Sequence, residues 1–347
     1  MGKLNNLGLA FALALASAGP SVAESTRADP EARRHWYQSI TVGYQTLADR
    51  TNQFQAAVET YCDAPAVPSR EGAEQAWLDA FLAWQKVRFI DFGPIEKNNL
   101  GWQFQFWPDP KNLIARKANG LLNPDLTITP ELIDDSGVAV QGFPMAEYLL
   151  FDEPLNAGEQ ALPALKTCEL LTAVAVHVVA NSRELKASWQ GFEKHYLTTD
   201  QYRDTTIRSA MAALEILEER RLAEPMGLRD SGGRSQYGAD AWRSGTSLKA
   251  AEATLTGLEQ HFLPGLILLL EKHGDGVLAR RIDKQFADAL ANFPELHQPM
   301  KHLLADDALF TELQSFYVDV SQLAELVNGQ AAVKLGVVRG FNSSDGD

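Results

Sequence analysis

From Trp36 onward the apolar and aromatic residues recur at Trp36, Ile40, Tyr44, Leu47, Phe54, Val58 and Tyr61, steps of three, four or seven positions. That is the period of one face of an α-helix, and it returns through most of the chain. After Pro65 and Pro68, Ser69 is placed to cap a second helix, in which Trp77, Phe81, Trp84 and Arg88 share a face until Gly93-Pro94 ends it. Helical spacing resumes over residues 163–195, as one rod or as two helices bent near Asn181-Ser182, and again over 205–223, 248–273, 277–291 and 308–327. Strand signals are scarce; residues 126–129 make at best a short edge piece. The pattern predicts an all-α fold. Two runs of about four helices, each carrying one long loop (residues 93–141 and 228–245), suggest two tandem four-helix-bundle-like domains, an N-terminal one over 24–190 and a C-terminal one over 191–347.

The first 23 residues read as a secretory signal peptide. Lys3 supplies a positive charge, Leu7 to Ala18 are apolar apart from Gly8 and Ser17, and Ser21-Val22-Ala23 puts small residues at the cleavage site. The apolar run falls short of the ~20 residues a membrane helix needs. The most apolar later stretch, residues 262–270, is interrupted by Pro264 and Gly265. The expectation is therefore an exported, periplasmic protein, soluble after cleavage. In such a compartment Cys62 and Cys168 have two readings: a disulfide, stabilising by about 4–5 kcal/mol in the chain-entropy model, or two buried thiols.

Charge excludes one class of partner. Thirty-one Lys and Arg face 45 Asp and Glu, a net charge of −14, and no dense basic run is present to neutralise a phosphate backbone, so nucleic acid is not expected. One local exception lies between Arg220 and Ser244, where Arg220, Arg221, Arg229, Arg234 and Arg243 outnumber Glu224, Asp230 and Asp240. That loop is a candidate for holding a small anion. Arg243 and Ser244, with Ser247 three positions on, precede a helix whose free N–H groups suit an anion; the simpler reading is that Ser244 or Thr246 caps it.

The seven histidines show no HExxH pair, and no nucleophile elbow, Walker loop or dinucleotide fingerprint is present. What stands out is a set of polar residues in apolar surroundings: Arg88, Asp109, Glu147, Glu224 and Arg243. Asp109, between two prolines, is either a ligand or a turn residue. Asp345 and Asp347 form a small C-terminal acidic cluster, a cation site or a solvated tail.

The segment QGFPMAEYLLF, from Gln141 to Phe151, resembles the signature of imelysin-like proteins: Gly, any residue, His, any two, Glu, then an aromatic and a Leu-Leu pair. Gly142, Glu147 and Tyr148-Leu149-Leu150 match, and Pro144 stands where the histidine is expected. FGPIEKN with FWPD resembles that family's first loop, RLAEPMG with AWRSGTSL its second, and GFNSSDGD its C-terminal ending. The resemblance implies two helical bundles and a role in bacterial iron uptake. It also implies a non-catalytic site between the bundles, lined by Glu147, Arg88, Asp109, Arg243 and Ser244. That site would hold iron, another divalent or trivalent metal ion, or an anionic metal chelate, with Glu147 as the metal ligand. An outer-membrane or envelope iron-uptake component is the implied protein partner. The alternatives are a metallopeptidase, which the loss of the histidine disfavours because catalytic zinc usually takes three protein ligands, and an envelope interaction module with no small ligand.

Overall fold

The computed structural model describes residues 29–229, 232–291 and 293–338. The signal segment, Asp230 and the C-terminal block with Asp345 and Asp347 lie outside them. The described residues form an all-α fold with no strand; residues 126–129 are irregular and lead to Thr129, whose Oγ1 accepts the Leu132 N–H to cap a short helix, Pro130–Asp135.

Two 34-residue helices, α1 (Pro30–Asp63) and α4 (Leu165–Thr198), pack along one another with α2 (Val67–Val87) against α1. The predicted face of α1 is buried: Trp36, Ile40, Leu47, Phe54 and Val58 are each 0 % exposed. α2 starts two residues before Ser69. Pro68 occupies its first turn, where a missing N–H costs nothing, and Ser69 Oγ accepts the Ala66 N–H from inside the helix instead of capping it. α4 is one rod. Ser182 and Asn181 lie within it and tie it to its neighbours, Ser182 Oγ to Thr51 Oγ1 at 2.7 Å and Asn181 Nδ2 to Gln103 Oε1 at 3.2 Å. The expected division between residues 190 and 191 therefore falls inside a continuous helix. The sulfurs of Cys62 and Cys168 are bonded, joining the last turn of α1 to the first turn of α4 across 106 positions.

The short helix α3 (Gly142–Phe151) carries the Gly-to-Glu segment and packs on α2 and α4. α5 (Tyr202–Ile216) ends in a wide π-helical turn, Leu217–Ala223. The stretch read as one helix over 248–273 is two, α6 (Ser247–His261) and α7 (Leu263–Lys272), bent by 44°. Pro264 is the cause: it has no N–H for the Gln260 carbonyl four residues back, and Ser39 Oγ donates to that carbonyl instead, at 3.1 Å. No single helix is long and apolar enough to cross a membrane among the described residues. α8 (Gly276–Ala291) and α9 (Asp307–Ala324) complete the second group. α6 lies on α2 and α7 on α1, so both groups share one continuous set of buried side chains running from Ala32 to Val337.

Candidate functional site

A cavity of about 790 Å³ opens where α3 meets the loop that leads into α6, a size typical of small-molecule sites. Gly142 sets the entry of α3. Its φ is +73°, and a Cβ there would lie 2.3 Å from the Phe104 carbonyl oxygen, so the turn requires glycine. One turn on, Pro144 and Glu147 face the cavity together.

Glu147 is 4 % exposed. Its Oε1 accepts the Ser244 N–H at 2.8 Å and lies 2.9 Å from Ser244 Oγ. Oε2 has no partner within the protein among the described residues. Burial pushes this carboxyl up to about 7, against the opposing pull of Ser244 and Arg243. The group that meets the N–H ahead of α6 is thus the protein's own carboxyl, not an external anion. Helix α6 starts after Thr246, which makes no side-chain cap, and Ser247 Oγ donates to the Asp240 carbonyl.

Arg243 reaches across the same cavity. Its Nε donates to Asp152 Oδ2 at 3.0 Å and its Nη2 to Asn112 Oδ1 at 3.0 Å, while the guanidinium lies 4.3 Å from the Trp242 ring centroid and 5.3 Å from that of Tyr148. Asp109 lines the cavity too, but both its oxygens cap the helix Leu113–Leu121, accepting the Leu113 N–H at 2.7 Å and the Ile114 N–H at 3.0 Å. Its role in the structure is therefore the turn reading.

Arg88 does not line the cavity. It stands behind the wall, over Trp107 at 5.5 Å and 3.6 Å from Asp240 Oδ2. Burial, followed by the neighbouring Arg221, pulls its guanidinium down to about 10, and Asp240 opposes them. Asp240 is 2 % exposed and holds two guanidinium groups: Arg221 Nη2 also sits 3.0 Å from Oδ2. Arg221 comes from the π-helical turn and donates from Nη1 to Thr254 Oγ1 at 2.7 Å, while its Nε has no partner. Gln105 joins this cluster to the cavity wall, with Nε2 donating to Asp240 Oδ2 at 3.4 Å and Oε1 accepting from Trp84 Nε1 and Gln85 Nε2.

Of the predicted residues, Glu147, Arg243, Ser244 and Asp109 share the cavity, Arg88 lies one layer behind it, and Glu224 is exposed outside it. The arginine surplus of the loop is internally engaged. Arg229 pairs with Glu219, and Arg234 donates to the Leu304 carbonyl and covers the Phe310 ring. Asp240, Arg221 and Asp152 escaped sequence reasoning as site residues; the arginine tally contained two of them without showing that they pair. Among the described residues no group of three or more His, Cys, Asp or Glu side chains converges as a metal site. With proline at 144 and the oxygens of Asp109 occupied, the donor set does not fit a metal ion held directly by the protein.

The chain matches the imelysin family model over residues 40–327. It is 29 % identical over 133 residues to iron-regulated protein A of Synechococcus elongatus, an alignment covering 38 % of this chain and about a third, 34 %, of that relative. Its fold is that of an imelysin-like protein from Psychrobacter arcticum 273-4, with a TM-score of 0.79 at 19 % identity over 91 % of this chain and 98 % of the other. A Parabacteroides distasonis ATCC 8503 protein described as a putative iron-regulated protein A precursor shares it with a TM-score of 0.68 at 15 % identity, over 90 % and 96 % of the two chains. A match to the family model over residues 40–327, most of its length, places this chain in the imelysin family.

Proposed function

We propose that this protein is a non-catalytic binding protein in iron handling outside the cytoplasm, and that its cavity takes iron as a chelate, through the chelate's organic ligand, not as a bare ion. The observation that carries the reading is Glu147: a buried carboxyl with one oxygen anchored by Ser244 and the other unpartnered in a cavity that Arg243 also lines. A carboxyl so held offers one hydrogen-bonding oxygen to a ligand, which suits recognition and is too little to coordinate a metal alone. The iron-regulated names of two relatives support the iron part. The bonded Cys62–Cys168 pair supports an oxidising compartment, and with it the expected signal peptide.

The test is calorimetric titration of the mature protein with ferric chelates of several ligand types, ferric citrate among them, and with ferric and ferrous ions alone. Saturable binding of a chelate, weakened by Glu147→Ala, is expected. Failure of every chelate to bind would overturn the reading, and tight binding of the free ion alone would replace it.

A further inference from the structure

The cavity wall is unusual for a site that receives an anion. Nine of its 28 lining residues are aromatic, about a third, against 9 % of the whole chain. Its charged groups are four carboxyls, Asp109, Glu147, Asp152 and Glu153, and two cations, Arg243 and Lys301. Arg243 is already paired with Asp152. A polycarboxylate entering here would meet more negative than positive charge in a partly desolvated space.

The face around Glu147 has a matching character. The residue one turn before it is Pro144, whose apolar ring lines the same cavity. Trp242 and Tyr237 stand edge to face with centroids 4.9 Å apart, and Tyr237 is 69 % exposed. An exposed tyrosine ring packed on a half-buried tryptophan, lining the same cavity as a buried carboxyl with a free oxygen, suits a planar ring bearing a polar substituent.

We propose that the ligand recognised in this cavity is an aromatic chelator of low net charge, with its ring against the aromatic wall and a hydroxyl or amide group on Glu147 Oε2. This rests on the chelate reading above and narrows it. The hydrophobic wall selects for the ring, the excess of carboxyls selects against polyanions, and the single free oxygen orients the substituent.

Two neutral ferric complexes with identical iron coordination separate ring from metal: ferric tris(benzohydroxamate) and ferric tris(acetohydroxamate). Ferric citrate serves as the polyanionic comparison. Titration followed by tryptophan fluorescence and calorimetry is expected to show the benzohydroxamate complex binding at least roughly tenfold more tightly than either of the others, the scale of one or two aromatic contacts. Tyr237→Ala, a change at an exposed side chain, is expected to weaken the benzohydroxamate complex about 2–10-fold, the range of one aromatic contact, and to leave the acetohydroxamate complex unchanged. Equal binding of the two hydroxamates, or preference for citrate, overturns the aromatic proposal while the chelate reading stands. If no chelate binds, both fall.

Discussion

Two buried carboxyl groups near one another, Asp240 and Glu147, are held in opposite ways. Asp240 faces two guanidinium groups, Arg221 at 3.0 Å and Arg88 at 3.6 Å. Glu147 is held by an N–H and a hydroxyl of Ser244, both neutral, and the nearest arginine is paired with Asp152. Its two guanidinium partners make the first a brace between α2, the π-helical turn and the loop before α6. Burial, opposed by Ser244 and Arg243, pushes the second up to about 7, with one oxygen still available. The acid with charged partners braces the frame, and the acid with neutral ones lines the cavity.

The sharpest way to break this contrast is Asp240→Asn, which leaves the buried Arg221 and the half-buried Arg88 guanidinium groups without a counter-charge. It is expected to cost about 3–5 kcal/mol, read as a fall in the urea midpoint; a loss below about 1 kcal/mol would show that Asp240 is not bracing the frame. Glu147→Gln should act in the other direction at high pH. The Glu147 carboxyl is raised from 4.5 to about 7 on folding, so the native state holds a proton that the unfolded chain releases between those values. Its contribution to stability is full below pH 4.5 and is lost as pH rises through 7, a decline of about 3 kcal/mol at roughly 1.36 kcal/mol per unit. The Gln variant is expected to lack that slope and to be the more stable protein at about pH 8. Unfolding curves from about pH 4.5 to 8.5 decide it, and parallel slopes would remove Glu147 from the account. Ser244→Ala takes one donor from Glu147, costing about 1.5–3 kcal/mol near pH 8, where the partner is charged, and about 0.5–1.5 kcal/mol near pH 5, where it is not. The smallest change is Tyr237→Ala, expected within about ±0.5 kcal/mol in the same unfolding measurement because the ring is solvent-exposed.

The helices were legible because burial on one face leaves a period in the sequence, as in α1. Their ends were less so. Ser69 resembles a cap yet lies inside α2, and residues 248–273 look periodic across a break that Pro264 imposes on hydrogen bonding without disturbing the apolar spacing. In the site, Glu147 was legible from its local motif, and Arg243 with Ser244 from their place before a helix. The Asp240 cluster was not: Arg88 and Arg221 reach it from elements 152 and 19 positions away, and the second depends on a π-helical turn that no local pattern announces. Asp109 was legible as a turn residue, and its two backbone contacts keep it there.

Where α6 crosses α2, Gly257 lies so near the Lys86 carbonyl that a Cβ would come within 2.0 Å of its oxygen. α2 supplies Trp77 and Phe81 to one wall of the cavity, and α6 follows directly from the loop that supplies Ser244 to another. A side chain at position 257 would force the two helices apart, and with them the walls they carry. The width of the cavity is thus tied to a glycine that does not line it.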